Sequence, residues 1–294
     1  MRINIGEVIT AMVTPFNENF EVNYNEVEKL TDYLINNGSD AILVAGTTGE
    51  SPTLTHEEEL EILKVVKNVV GNKAKVIMGA GSNSTRTAVE STQKAEKAGA
   101  DAILSVVPYY NKPSQAGLLE HFGQIAKSTD LPIILYNIPG RTGINMETET
   151  ISKLADSYKN IAAVKQSNPN LDLVTEIRLQ TPEDFVIYSG DDSLTLPMLS
   201  IGAYGVISVA SHIIGKEIKQ TITEFKAGNF SKALELHLKA YPMFKTLFTS
   251  PNPIPVKVVL AKQGHLSETV RPPLVKLTDE EREKLYNSIA PYEI

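Results

Sequence analysis

The chain of 294 residues carries 28 Lys and Arg against 35 Asp and Glu, and the resulting net charge of −7 argues against a phosphate-backbone partner or an anionic lipid surface. No cysteine occurs, which excludes a disulfide framework, a thiolate nucleophile and a thiolate metal site. At 42% hydrophobic and 21% charged, the chain has the composition of a soluble globular protein, long enough for one large α/β barrel or two ordinary domains. No apolar run reaches the length of a membrane span, and Met1 to Gly6 lacks the apolar core of a signal peptide, so the expected setting is the cytoplasm.

Val8 to Phe16 (VITAMVTPF) predicts a first strand, apolar and β-branched, closed by Pro15 and the turn formers Asn17, Glu18 and Asn19. Asn23 to Asn36 predicts an amphipathic helix, with Val27, Leu30, Leu34 and Ile35 on one face and Gly38 just past its end. The alternation then repeats. Further strands are predicted at Ala41 to Ala45, Val76 to Ala80, Ala102 to Val107, Pro132 to Asn137, Ile161 to Lys165, Phe185 to Ser189 and Gly205 to Val209. Helices between them carry start signals: Thr55 and Glu58 at capping-box spacing, Ser84 before Thr85 to Lys97, and Ser114 before Gly117 to Lys127.

The strands are nearly continuous apolar runs, as expected where both faces are buried in a parallel sheet. Their starts from Ala41 to Gly205 lie about 27 residues apart, enough for one strand, one helix and tight loops. Eight such units predict a closed (β/α)8 TIM barrel. An open doubly wound sheet is the alternative, but no GxGxxG follows the first strand. After Val209 only helical patterns follow: Lys216 to Lys226, Phe230 to Phe248, Pro255 to Gln263 and Thr278 to Ser288. The expected organisation is a barrel catalytic domain over 1–229 and a C-terminal helical extension over 230–294, packed on the barrel.

In such a barrel the strand-to-helix loops build the active site. Ile161 to Asn168 (IAAVKQSN) delivers one lysine, Lys165, at the end of a buried strand. Desolvation there disfavours the ammonium, and an amine neutral part of the time attacks carbonyls to form imines. The competing reading is a lysine that snorkels to water or pairs with a carboxylate. Gly46 to Ser51 (GTTGES) could present backbone N–H groups to an anion and a hydroxyl for proton relay, or be an ordinary turn. Tyr136 and Arg141, in YNIPGRTG, suit proton transfer and bidentate carboxylate binding. The paired Asp191 and Asp192 have no histidine or third carboxylate nearby in sequence, which favours helix N-capping over a metal site.

GTTGESPTL, PYYNKPSQ, LYNIPGRTG, AVK, YSGDD, GVISV and NPIPVK occur in that order, and through them nearly the whole chain resembles the dihydrodipicolinate synthase family. The resemblance implies condensation of pyruvate with L-aspartate 4-semialdehyde in lysine and diaminopimelate biosynthesis, with no cofactor or metal. It implies imine formation at Lys165, proton relay by Tyr136 and Thr47, and a tyrosine, Tyr110, donated across a tight dimer interface. The Thr47 and Thr48 backbone would hold the pyruvate carboxylate and Arg141 that of the semialdehyde, while Gly190 and Ile207 would line the pocket. A homotetramer built as a dimer of dimers is the implied assembly. Two other readings share the lysine: a different pyruvate-dependent aldolase, such as N-acetylneuraminate lyase or a 2-keto-3-deoxy sugar acid aldolase, and a keto-acid sensor without activity. GRTG at Arg141 and retention of Lys165 and the tyrosines speak against them.

Two departures from the family pattern stand out. The family often reads KEA[ST]G after the lysine strand, where this chain has Lys165, Gln166, Ser167, Asn168 and Pro169. The second concerns a lysine-binding allosteric pocket, whose matching positions include Ser51, His56, Glu59, Asn83, Thr87 and Tyr109. Tightly inhibited members have histidine at the position of Glu59 and glutamate at that of Thr87. Without that second carboxylate, weak or absent inhibition by L-lysine is expected.

Overall fold

The computed structural model describes residues 4–292; Met1 to Ile3 of the opening stretch and the last two residues of the expected extension lie outside the described residues. Strands β1 (Val8–Ala11), β2 (Ala41–Val44), β3 (Lys75–Gly79), β4 (Ala102–Val106), β5 (Ile133–Asn137), β6 (Ile161–Gln166), β7 (Val186–Ser189) and β8 (Gly205–Ser208) close in sequence order into a parallel barrel. Thr10 of β1 pairs with Ile42 of β2 on one side and Ser208 of β8 on the other, which completes the ring. The expected (β/α)8 TIM barrel with helices following β8 is therefore what the chain forms.

Between the strands run α1 (Tyr24–Asn36), α2 (His56–Val70), α3 (Thr85–Lys97), α4 (Gln115–Lys127), α5 (Pro139–Thr142), α6 (Thr148–Ser157), α7 (Leu171–Gln180) and α8 (Thr195–Ser200). After the last strand come α9 (Ser211–Lys226), α10 (Phe230–Thr246), α11 (Ile254–Lys262) and α12 (Asp279–Ile289). The start signals act as expected: Thr55 and Glu58 form a reciprocal capping box, and Ser84 and Ser114 accept from Thr87 and Gly117 N–H groups. Among the described residues no helix is long and apolar enough to cross a membrane.

Strand alternation divides the core into two layers. Ile9, Leu43, Ile77, Leu104, Ile134 and Ile207 fill the lumen, while Val8, Ile42, Val76, Ile103, Leu135 and Val206 face the helices. The extension joins the outer layer: Leu247, Ile254, Val258, Leu277 and Leu285 are buried in the same apolar cluster as Val13, Phe16 and Ile222.

Two details differ from the expectations, and a third was not among them. The first strand ends at Ala11 instead of Phe16, because its neighbours β2 and β8 stop at the rim; Phe16 instead bridges Val22. The helix expected from Lys216 begins at Ser211, with non-helical φ −117° and ψ 41° at Ile214 dividing it. The third lies in β6, where the register with β5 jumps from Ile133 with Ile161 to Ile134 with Ala163. Ile161 consequently packs in the outer layer, although Ala163 lies in the lumen. This bulge sets which way the end of the strand points.

Gly79, at the end of β3, lies so close to the chain leaving β2 that a Cβ there would sit 2.2 Å from the Ala45 carbonyl oxygen. Backbone must move to admit a methyl group, so Gly79→Ala should lower stability by about 1–3 kcal/mol. Urea denaturation with an unchanged m-value checks this. An unaltered midpoint would mean that strand and loop separate freely.

Candidate active site

The β6 bulge restores inward alternation at Ala163, and two residues later the same face carries Lys165. Its side chain is therefore directed into the lumen near the C-terminal end of the strand, where Tyr136 of β5 and Tyr188 of β7 are its register partners. The residue is 7% exposed, and its Nζ stands 4.3 Å from the centroid of the Tyr136 ring. Among the described residues this ammonium has no carboxylate and no hydrogen-bond acceptor. The ring face of Tyr136 is the favourable contact in place of a counter-ion. Tyr188 is fully buried beside it, with its hydroxyl donating to the Gly6 carbonyl at 2.9 Å.

Above Tyr136 opens a cavity of about 420 Å³, lined among others by Gly46, Thr47, Gly79, Tyr136, Arg141 and Thr142. The structure thus brings Thr47, Tyr136 and Arg141 to one space; Lys165 does not line it but packs against the ring of Tyr136, which does. The hydroxyls of Thr47 and Tyr136 have no protein partner among the described residues. The YNIPGRTG stretch contains one helical turn, α5, in which Thr142 Oγ1 donates to the Ile138 and Ile144 carbonyls, and this turn holds the exposed Arg141 at the rim. The Arg141 guanidinium has no acidic partner among the described residues and stays available to an anion.

The loop after β2 is the most constrained part of the rim. It leaves the strand with Ala45 at φ +52° and ends with Glu50 at φ +58°, left-handed conformations that cost non-glycine residues about 1–2 kcal/mol each. Gly49 has its carbonyl tied by Thr14 Oγ1 at 2.6 Å, and Thr48 Oγ1 accepts from Asn252 Nδ2 at 2.9 Å. The backbone N–H groups of Thr47 and Thr48 donate to no protein acceptor among the described residues. Unspent donors in a pinned loop suit a carboxylate.

Gly190, after β7, packs on the lysine stem: a Cβ there would lie 1.9 Å from Ser167 Oγ and 3.0 Å from Lys165 Cε. Only glycine leaves room for both. The departure after Lys165 is now visible in space. Gln166 Oε1 accepts from Asn137 Nδ2 at 3.1 Å on the outer side of the barrel, while Gln166 Nε2 and Ser167 Oγ are buried without a partner among the described residues. Ile207 lies in the luminal layer of β8, 1% exposed.

Tyr110 is 89% exposed and takes φ +72°, so within one chain it stays outside the cavity. Its loop is fixed from below, with Asn83 Nδ2 donating to the Tyr109 carbonyl and Asn111 Nδ2 to the Asn83 carbonyl. Ser51, His56, Glu59, Thr87 and Tyr109 line the far end of the cavity, which Asn83 adjoins through its bond to Tyr109. There Glu59 accepts from Ser51 Oγ at 2.6 Å and faces His56 Nδ1 at 3.1 Å, and burial pushes its carboxyl above the usual range.

Of the paired acids, Asp191 caps the turn that follows it, accepting from Ser193 N–H at 2.9 Å. Asp192 points inward, accepting from Ser208 Oγ and the Val209 and Ala210 N–H groups, and burial raises its pKa. His212 is buried and pushed down to about 4, with Nε2 accepting from Val13 N–H at 3.1 Å. These groups knit β7, β8 and β1 together below the rim.

One residue with a clear bearing on the site belongs to NPIPVK but takes no role from that motif. Lys257 of α11 is fully buried, donating to Glu50 Oε1 at 2.5 Å and to the Thr269 carbonyl at 2.8 Å. Its signal in the sequence is a lone lysine inside the apolar run Ile254 to Leu260.

The family model for the dihydrodipicolinate synthetase family matches residues 4–291. The chain belongs to this family. It is 55% identical to 4-hydroxy-tetrahydrodipicolinate synthase of Microcystis aeruginosa, over 95% of this chain and 94% of that one. The enzyme of the same name from Synechococcus sp. (strain JA-2-3B'a(2-13)) is 52% identical over 94% of this chain and 90% of its own length. Among solved structures, that of DHDPS from Cyanidioschyzon merolae with lysine bound superposes with a TM-score of 0.95 at 50% identity, covering 97% of each chain.

An ammonium buried without a counter-ion destabilises the protein that carries it. Lys165→Met should therefore leave stability unchanged or raise it by about 1–2 kcal/mol. Thermal unfolding of the variant beside the wild type reads the difference. A Tm lowered by several degrees would show that the amine has a stabilising partner.

Proposed function

We propose that the chain condenses pyruvate with L-aspartate 4-semialdehyde through an imine at Lys165, giving 4-hydroxy-tetrahydrodipicolinate for lysine and diaminopimelate biosynthesis. The observation that carries this reading is a luminal lysine free of any carboxylate, set against Tyr136 beneath a cavity that also holds Thr47 and Arg141. Substantial identity over nearly the full length to enzymes named for this product supports it.

The chemistry follows from the groups present. The neutral Lys165 amine adds to the ketone carbon of pyruvate, and the carbinolamine loses water to give a cationic imine. The imine withdraws electrons, so the adjacent methyl group releases a proton and becomes an enamine carbon. That carbon attacks the aldehyde of the semialdehyde, forming the new carbon–carbon bond. Attack of the substrate amine on the imine carbon then closes the ring and releases Lys165. Tyr136 and Thr47 carry protons in these steps, with Tyr110 of a second subunit completing the relay. The Thr47 and Thr48 N–H groups hold the pyruvate carboxylate, Arg141 holds that of the semialdehyde, and Gly190 and Ile207 shape the floor. No step requires a cofactor.

Under this reading the working unit is at least a dimer, because Tyr110 lies outside its own cavity; the assembly proposed is a homotetramer of paired dimers, working in the cytoplasm. The domain boundary proposed is at residue 229, with the extension acting as part of the barrel enzyme.

Borohydride added with pyruvate should fix one three-carbon adduct on Lys165, found by peptide mass, and its absence would remove every imine mechanism. Assay of pyruvate with aspartate semialdehyde against cleavage of N-acetylneuraminate then selects the substrate. For the far end of the cavity, Thr87 supplies no carboxylate for a lysine ammonium. Inhibition by L-lysine should be weak or absent, and half-inhibition below millimolar concentration would contradict that assignment.

A further inference from the structure

The reaction as described uses nothing from α10 to α12, yet the extension reaches back to the threonine loop. Asn252, just before α11, donates to Thr48 Oγ1 at 2.9 Å. Lys257 donates to Glu50 Oε1 at 2.5 Å, and the Arg271 backbone N–H donates to Glu50 Oε2 at 3.0 Å. Both carboxylate oxygens of Glu50 are thus held by residues more than 200 positions away in sequence. The Arg271 side chain extends the grip, donating to the Thr53 carbonyl at 2.6 Å and pairing with Glu58. The ring of Phe16 contacts both cations, its centroid 4.3 Å from Lys257 Nζ and 4.4 Å from Arg271 Cζ.

Glu50 is itself left-handed, at φ +58°, a conformation that persists only where surrounding contacts impose it. Its carboxylate is 3% exposed, and Lys257 is fully buried. Breaking such a pair from one side strands a charge, whereas removing both charges does not. Burial pushes the Lys257 amine down to about 8 even with Glu50 beside it, which marks how completely water is excluded here.

We infer that the C-terminal extension is a brace for the substrate-binding loop, with Lys257 and Asn252 as positioning residues that act through Glu50 and Thr48 to hold the Thr47 and Thr48 N–H groups in place for the keto-acid carboxylate. This rests on the assignment of those N–H groups to pyruvate. The brace touches the loop and not Lys165, so it governs how pyruvate is held and not whether the amine reacts.

The test uses the full chain as wild type, Lys257→Met, Glu50→Gln, the double variant, and Asn252→Ala, which leaves the ion pair intact. Pyruvate KM, kcat, the pyruvate dependence of borohydride trapping and Tm are read for each. Lys257→Met should raise pyruvate KM and the trapping midpoint at least tenfold while trapping at saturating pyruvate still goes to completion. The double variant should recover Tm relative to Lys257→Met without recovering KM, since it removes the orphan charge but leaves the loop unheld. Asn252→Ala should raise pyruvate KM several-fold, and it decides the matter if Lys257→Met does not fold.

If the variants lose Tm but keep the wild-type pyruvate KM and trapping midpoint, the pair is only a structural strut and the proposal fails. Wild-type protein that never traps pyruvate would instead overturn the imine reading, a result separable from failure of the brace.

Discussion

A primary amine carried into the barrel lumen without a carboxylate is the constraint that the surrounding structure serves. The protein contains a second buried lysine for comparison. Lys257 is committed to two partners, donating to Glu50 Oε1 at 2.5 Å and to the Thr269 carbonyl at 2.8 Å. Its Nζ is thereby tied into the structure. Lys165 has only the face of Tyr136, at 4.3 Å, and no hydrogen-bond acceptor among the described residues. The two buried lysines thus differ in what stands opposite each and not in depth, and only Lys165 is left without a polar partner among the described residues.

Much of this was legible in the sequence, for a physical reason. Parallel barrel strands are buried on both faces, so each is an apolar run, and α1, α2, α3, α4, α7 and α12 each begin with a capping side chain that pairs locally. These signals need no knowledge of distant contacts. The exceptions are instructive. The bulge at the start of β6 leaves no mark in IAAVKQ, because Ile161, Ala162 and Ala163 suit either face of a strand equally. Strict alternation from Ile161 would also have put Lys165 on the face of Ile161, which is the outer one. Orientation of Lys165 was therefore settled by the partner strand, whose register no local pattern encodes.

The candidate site divides the same way. Thr47, Tyr136 and Arg141 follow predicted strands and meet at the rim, as the loops of any barrel must. Tyr110 remains outside the cavity in one chain, and only its resemblance to a shared tyrosine gave it a role. Of Asp191 and Asp192, both candidates for a cap, Asp191 is the cap and Asp192 is a buried acceptor joining β7 to the residues after β8. Glu50 was legible only as part of a turn, because its partners come from 207 and 221 residues away. Sequence shows which residues could do chemistry more readily than which ones hold them still.

The geometry of the rim explains why such a holder is needed at this loop. A loop between strand and helix is ordinarily fixed by its two ends, but here Ala45 and Glu50 both turn left-handed, so neither flank passes on a relaxed backbone direction. The two N–H groups that the proposed mechanism requires lie between these turns, with no protein acceptor of their own among the described residues. A strained segment with unspent donors gains by relaxing and spending them elsewhere. Resistance to that relaxation must come from side chains, and Thr14, Asn252, Lys257 and the Arg271 backbone supply it. Thr14 belongs to the barrel and the others to the chain beyond it. The same loop runs on through Ser51 to Glu59 at the far end of the cavity, so any molecule bound there lies against the segment that these contacts hold in place.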